Sequence, residues 1–159
     1  MEIKAGLGFD IHKLKKGRKL FLGGVRIPFS RGLVGHSDGD CLIHAIIDGL
    51  LGACGEKDIG QMFPDTDPEY KQVRSTELLK ATVERVEENG LFILNIDSII
   101  MAEEPKLASY IPMMKEVLCP LLGVDRSHLG IKAKTYEGLG PVGRGEAMAA
   151  WACVLVKRG

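Results

Sequence analysis

Asp10 and His12 stand two positions apart in "GFDIH", and "HSDGDCLIHAIIDGLLG" (residues 36–52) carries His36, Asp38, Asp40, His44 and Asp48 into a segment that turns apolar halfway along. On an extended chain, residues i and i+2 project to the same side, so Asp10 and His12 together present one edge of a cation site. His44 adds a second imidazole. One carboxylate and two imidazoles make a three-ligand zinc set that leaves the fourth position to water or substrate, which is the catalytic form of a zinc site. A core histidine satisfied by hydrogen bonds would have the same sequence signature. Asp40 and Asp48 lie one turn to either side of His44, where either carboxylate can stand behind the imidazole and orient it. Asp38 or Asp40 can also cap the helix that follows. His36 precedes the helix start, where unpaired NH groups and the positive end of the helix dipole favour an anion. It marks either a phosphate site or an ordinary surface loop.

The second chemical stretch is "KAKTYEGLGPVGRGE" (residues 132–146), with Lys134, Thr135, Glu137, Arg144 and Glu146 among glycines. Lysine, a threonine hydroxyl and backbone NH groups suit phosphate oxygens, and Glu137 suits a hard cation bridging two phosphates. A glycine-rich connection with solvated charges is the plain alternative. In "FPDTDPEY", Asp65 and Asp67 suit sugar hydroxyls or simple turns, and their spacing does not match a calcium loop.

The elements that must position these residues follow from periodicity. A strand spans about Lys4 to Phe9, and "KLFLGGVRIPF" is a hairpin turned at Gly23-Gly24. A helix runs to about Ala53, and "FPDTDPEYK" is a loop. Ser75 opens an amphipathic helix with Leu78, Leu79, Thr82, Val83 and Val86 on one side and a left-handed stop at Asn89-Gly90. "LNIDSIIMA" is a strand, Pro112 begins a helix reaching about Leu122, "LGIKAKTY" is a strand, and "EAMAAWACVLVK" is a final buried strand. This order predicts a single α/β (α+β) domain over residues 1–159. Its architecture is a two-layer sandwich of a mixed four-stranded sheet with about three helices on one face, plus a small hairpin. The sheet leaves a face uncovered, which points to a homo-oligomer.

The 21 basic residues balance the 21 acidic ones, so no net field draws the chain to nucleic acid or to an anionic membrane, and an anionic ligand must be held by local groups. Cys41, Cys54, Cys119 and Cys153 form no CxxC pair, which fits a reducing compartment. No apolar run reaches the roughly 20 residues of a membrane span, and no leader pattern opens the chain, so the expected location is the cytoplasm.

In combination these motifs become specific. "GFDIH", "GGVRIP", "HSDGD" followed by His44, "DIGQMFPDTDPEYK", "EEPKL" and "KAKTYEGLGPVGRGE" occur in one order from about Gly8 to the end. The series closely resembles the 2-C-methyl-D-erythritol 2,4-cyclodiphosphate synthase family of the non-mevalonate isoprenoid pathway. The resemblance implies a homotrimer with active sites at subunit interfaces, each using zinc and a second divalent cation, magnesium or manganese. It implies conversion of 4-diphosphocytidyl-2-C-methyl-D-erythritol 2-phosphate to the cyclic diphosphate and CMP. Residue by residue, Asp10, His12 and His44 match the zinc ligands, Glu137 the magnesium or manganese carboxylate, and His36 and Thr135 the pair that stabilises the transition state. Ser37, Asp58, Ile59, Gly60, Phe63, Asp65 and Asp67 match the segments that contact the erythritol phosphate. Ala102, Pro105, Lys106 and Leu107, with Ala133 and Lys134, match the cytidyl side. Arg144 matches the cationic contact of a central cavity that holds isoprenoid diphosphates. The chain departs from the commonest family pattern at Lys134 and Tyr136, which replace threonines, at Pro141-Val142, where a phenylalanine is frequent, and at Glu104, where a small residue is usual.

Overall fold

The computed structural model describes residues 1–159. Its first strand, β1 (Ile3–Lys16), alternates between solvent and core along most of its length, and the chain then makes the hairpin of β2 (Leu20–Leu22) and β3 (Val25–Ile27). Gly23 and Gly24 turn that hairpin with φ of 59° and 75°, the left-handed pair that a tight two-residue turn demands and that side chains resist. A short strand, β4 (Arg31–Leu33), returns to pair with the end of β1, and α1 (Cys41–Cys54) follows. Next come the one-turn α2 (Ile59–Met62), a 3-10 turn (Pro68–Tyr70) and α3 (Ser75–Glu88). The remainder is β5 (Leu91–Met101), α4 (Ile111–Leu122), β6 (Leu129–Lys134), the one-turn α5 (Gly140–Gly143) and β7 (Ala147–Arg158).

The sheet is mixed, in the order β4-β1-β7-β5-β6, with only β5 and β6 parallel. It therefore has five strands where the sequence reading gave four. The extra strand is three residues long and sits between Ser30 and a glycine-rich loop, too short to leave a period of its own. The first strand is also longer than read, because "DIHKLKK" continues the same alternation through charged residues. The one-turn α5 falls in the glycine-rich connection, and α2 lies just before the expected "FPDTDPEYK" loop, in a stretch to which the sequence assigned no element.

Helix α1 packs on β1 and β7, and α3 packs on α1. Leu42, Ile43, Ile46, Ile47, Leu50 and Leu51 are sealed at 1% exposure or less, each contributing about 2 kcal/mol by leaving water. The helix can lie this close because β1 presents glycines beneath it. A Cβ on Gly8 would sit 1.8 Å from the Ala45 carbonyl oxygen, and one on Gly6 would sit 1.8 Å from that of Gly49.

The opposite face of the sheet is bare along β1 and the second half of β7. Ile3, Leu7, Phe9 and Ile11 of β1, with Trp151 and Leu155 of β7, are large apolar side chains each more than a third exposed, and Phe9 stacks at 4.5 Å on Trp151. The final strand, read as buried, is thus buried on both faces only at its start, where Ala147 and Ala149 pack with Met101 and Val142, and from Ala150 onward on its inner face alone; Met148, Ala150, Ala152, Val154 and Val156 face the helices.

Candidate metal centre and adjoining clefts

Asp10 and His12 occupy the same face of β1 as Gly6 and Gly8, and the close seat of α1 on those glycines brings His44 over them. Three atoms converge: Asp10 Oδ2 lies 2.7 Å from His12 Nε2 and 3.2 Å from His44 Nδ1, and the two imidazole nitrogens are 3.3 Å apart. All three side chains are less than a quarter exposed. Burial opposes the charge of Asp10, but when the imidazoles are protonated, hydrogen bonds from His12 and His44 outweigh it and hold the carboxyl at about 2. For His12, burial lowers the imidazole pKa, while the Asp10 hydrogen bond and charge raise it further, with a net rise.

The other nitrogen of each ring is already committed. His12 Nδ1 faces the Val34 carbonyl at 2.6 Å, so it carries the proton and leaves the Nε2 lone pair directed at Asp10. His44 Nε2 lies 2.9 Å from Ser75 Oγ. With both rings neutral, a carboxylate oxygen and two imidazole lone pairs aimed at one point repel one another unless a proton or a cation lies between them, and this donor set suits zinc.

Neither Asp40 nor Asp48 touches the His44 ring. Asp40 caps α1 through Ile43 N (3.1 Å) and also accepts from Gly23 N (3.0 Å) and Gly24 N (2.8 Å), which ties the hairpin turn to the helix. Asp48 turns to the start of α2, accepting from Ile59 N at 2.7 Å. The place of a carboxylate behind His44 is taken by Ser75, backed by Asp38. Asp38 and Asp40, read as alternatives for one cap, cap two helices: Asp38 Oδ2 accepts from Ser75 N at 3.0 Å, at the start of α3, where Arg74 provides no side-chain cap. Sequence reasoning missed Ser75 because a serine opening a helix looks like its own cap, and it missed Gly6 and Gly8 because close packing leaves no local mark.

The metal centre opens into a cleft of about 190 Å³ that also contains His36, Ser37, Ile59, Gly60, Phe63 and Asp65, together with Tyr70 and Leu78. His36 is 76% exposed at its side chain and pairs with Asp65 at 3.0 Å. Asp58 and Asp67 lie outside this cleft with their carboxylates engaged as caps, on Gln61 N (2.9 Å) and Glu69 N (3.0 Å). A second cleft of about 210 Å³ gathers Ala102, Pro105, Lys106, Leu107, Ala133, Lys134 and Thr135, with Glu103 and Ala108. Beside it, Glu137 has a left-handed φ of 53° and accepts a hydrogen bond from the Thr135 hydroxyl at 3.3 Å. Arg144 belongs to neither cleft; its guanidinium is held by both oxygens of Glu146 at 2.8 and 3.3 Å.

Within one chain the two clefts do not meet. His12 pairs with Met148, Ala149 with Met101, and Met101 with Lys134. Three strand spacings of ~4.8 Å therefore put the ends of β1 and β6 ~14 Å apart.

Residues 3–157 match the model of the YgbB family. A curated relative from Caldicellulosiruptor bescii, named 2-C-methyl-D-erythritol 2,4-cyclodiphosphate synthase, is 49% identical over 96% of this chain and 98% of its own length. Among solved structures, the bifunctional IspDF of Campylobacter jejuni superposes with a TM-score of 0.94 at 42% identity, over 99% of this chain and 43% of that one. The IspF of Plasmodium falciparum in complex with CDP superposes with a TM-score of 0.86 at 33% identity, over 98% of this chain and 96% of that one.

Proposed function

Because the chain belongs to the YgbB family, we propose that it converts 4-diphosphocytidyl-2-C-methyl-D-erythritol 2-phosphate into 2-C-methyl-D-erythritol 2,4-cyclodiphosphate and CMP. One observation carries the reading: Asp10 Oδ2, His12 Nε2 and His44 Nδ1 meet within 3.3 Å at the floor of a cleft that also holds His36 and Ser37. In the reaction an oxygen of the 2-phosphate attacks the β-phosphorus. The bond from the β-phosphorus to the bridging oxygen breaks, and CMP leaves with that oxygen and its electrons. Nucleophile and electrophile share one molecule, so the residues need only hold the two ends together and disperse charge.

Asp10, His12 and His44 would hold zinc, and Glu137 magnesium or manganese; when bound, these cations neutralise and polarise the diphosphate. His36 at the mouth of one cleft and Thr135 at the edge of the other offer donors to the reacting phosphates. Ser37, the α2 segment around Ile59 and Gly60, Phe63 and Asp65 receive the erythritol phosphate, with Asp58 and Asp67 bracing the backbone there. Ala102, Pro105, Lys106, Leu107 and Ala133 receive the cytidyl group, and Lys134 adds a cation beside the diphosphate.

The working unit is a homotrimer. Two observations support it: the bare apolar sheet face, and the ~14 Å that separates the zinc half of the site from the nucleotide half in one chain. Packing through that face brings one subunit's first cleft against a neighbour's second. A central cavity of such a trimer would hold an isoprenoid diphosphate on Arg144 in competition with Glu146, which engages Nε and Nη2 of the guanidinium. The enzyme works in the cytoplasm; no helix is long and apolar enough to cross a membrane.

The test is incubation of the metal-replete protein with the cytidyl diphosphate substrate in ¹⁸O-water, followed by phosphorus NMR and mass spectrometry. Cyclic diphosphate with CMP and no solvent oxygen is the expected result. A linear product carrying ¹⁸O would instead assign a zinc phosphohydrolase, in which the same ligands activate water.

A further inference from the structure

Buried behind His44 is a set of groups that the chemistry above does not use. Ser75 is fully buried at the start of α3. Its hydroxyl touches three partners: Asp38 Oδ1, in the shortest contact of the set, His44 Nε2 at 2.9 Å, and Ser37 Oγ at 3.3 Å. Asp38 is surrounded by donors, since it also accepts from Ser75 N at 3.0 Å and Asp40 N at 3.1 Å. A carboxylate can only accept, and a serine hydroxyl has one proton to give. That proton goes to Asp38, so the Ser75 oxygen faces His44 with a lone pair, and His44 Nε2 must carry hydrogen.

We propose that Asp38 and Ser75 form a positioning relay that locks His44 in the Nε2–H tautomer and so presents Nδ1 as the metal-binding atom. The proposal rests on the reading of Asp10, His12 and His44 as a metal site. The two imidazoles are then set in opposite senses by different means: a backbone carbonyl, that of Val34, accepts from His12 and fixes its proton on Nδ1, and a carboxylate acting through a hydroxyl fixes the His44 proton on Nε2. Ser75 belongs to α3, so the relay also registers that helix against the metal. Residues between α1 and α3 line the cleft, and the third ligand is thereby tied to the element that ends that segment.

Asp38→Asn is the discriminating change. The amide keeps a carbonyl oxygen for the Ser75 NH and thus still caps α3; its NH₂ gives up the bond from Asp40 N and must donate to the Ser75 hydroxyl. The hydroxyl then donates to His44 Nε2, and the ring proton moves to Nδ1, where it blocks the metal. Replacing an acid by its amide reverses the sense of a hydrogen-bond chain while leaving its geometry. Ser75→Ala is the second variant, because it keeps Asp38 on the α3 amide and removes only the relay.

The measurements are zinc affinity by chelator competition, and the ¹⁵N resonances of the imidazoles in metal-free protein at alkaline pH. Expected are an Nε2-protonated His44 in the wild type, an Nδ1-protonated one in Asp38→Asn and a mixture in Ser75→Ala, with zinc bound about 10 to 100 times more weakly by both variants and helix content unchanged. A role limited to capping α3 would leave the tautomer alone. Wild-type zinc affinity in both variants, or an Nδ1-protonated His44 in the wild type, overturns the relay while leaving the metal site intact. A wild-type protein that binds no zinc overturns the metal reading and the relay with it.

Discussion

Gly8→Ala tests whether the seat of α1 on β1 builds the metal centre. A Cβ at Gly8 lies 1.8 Å from the Ala45 oxygen and 2.8 Å from Gly49 N, where ordinary contact begins at 3.4 Å. Both neighbours are helix backbone, so no rotamer change relieves the clash, and α1 must withdraw by about 1.6 Å. Overpacking of this kind costs about 1–3 kcal/mol. A gap of more than 1 Å under the sealed face of α1 forfeits a large share of its dispersion contacts as well. The sum is roughly 3 kcal/mol, or about 10 °C in Tm for a chain of this size. His44 immediately precedes Ala45 and moves with it, while metal ligands tolerate displacements of only about 0.2 Å, so zinc affinity should fall at least about tenfold. Gly52→Ala, on the same helix with nothing within 4 Å, is the control and should stabilise by about 0.5–1 kcal/mol through helix propensity alone. Denaturant unfolding of the metal-free proteins and chelator competition give the two readouts. If Gly8→Ala stays within about 0.5 kcal/mol of wild type and keeps its zinc affinity, the close approach does not build the site.

Asp40→Ala should cost about 3 kcal/mol, since Gly23 N, Gly24 N and Ile43 N lose their acceptor together; amide exchange at Gly23 and Gly24 should accelerate, and unchanged protection there would refute the tie. Leu7→Asp places a charge on the bare sheet face at a side chain 66% exposed, so sedimentation should report a monomer of near-normal stability, and a persisting trimer would remove this face from the interface. Thr135→Ala should lower kcat at least about tenfold with little change in KM, because the role proposed for it is in the transition state; an unchanged kcat would strike it from the site. In metal-free protein the Asp10 carboxyl is held at about 2 against an ordinary 3.8, so the folded state binds that proton less readily than the unfolded one. The resulting stabilisation, about 2 kcal/mol, is complete above pH ~4 and lost as the pH falls toward 2. Acid titration of stability should therefore be flatter for Asp10→Asn by that amount, and parallel curves would contradict the assignment.

Asp10 and His12 could be read as a pair from type and spacing because extended geometry puts i and i+2 on one side whatever surrounds them, whereas spacing left His44 open and the family resemblance joined it to them. The hairpin was legible for a similar reason: Gly23-Gly24 has one low-energy use between two apolar runs. What supports the ligands was not legible. The Asp38 to Ser75 contact spans 37 residues, and the seat of Ala45 on Gly8 depends on a helix and a strand meeting, so neither leaves a local pattern. Asp40 and Asp48 were placed behind His44 by helical spacing alone, but one turned to its own cap and the hairpin, and the other to α2, each drawn by unpaired backbone NH groups. The fifth strand escaped because three residues are below the length at which alternation can be seen.

The pairing of β1 with β7, from Ile3 opposite Lys157 to Lys13 opposite Ala147, joins the two ends of the sequence at the middle of the sheet. Such a contact carries a large loop-closure cost before it returns any stabilisation, so it forms late. During synthesis, Asp10 and His12 emerge early and wait beside an empty edge until nearly the whole chain has followed. The strand that carries two of the three candidate ligands is therefore fixed within the sheet only once the C-terminal strand is present.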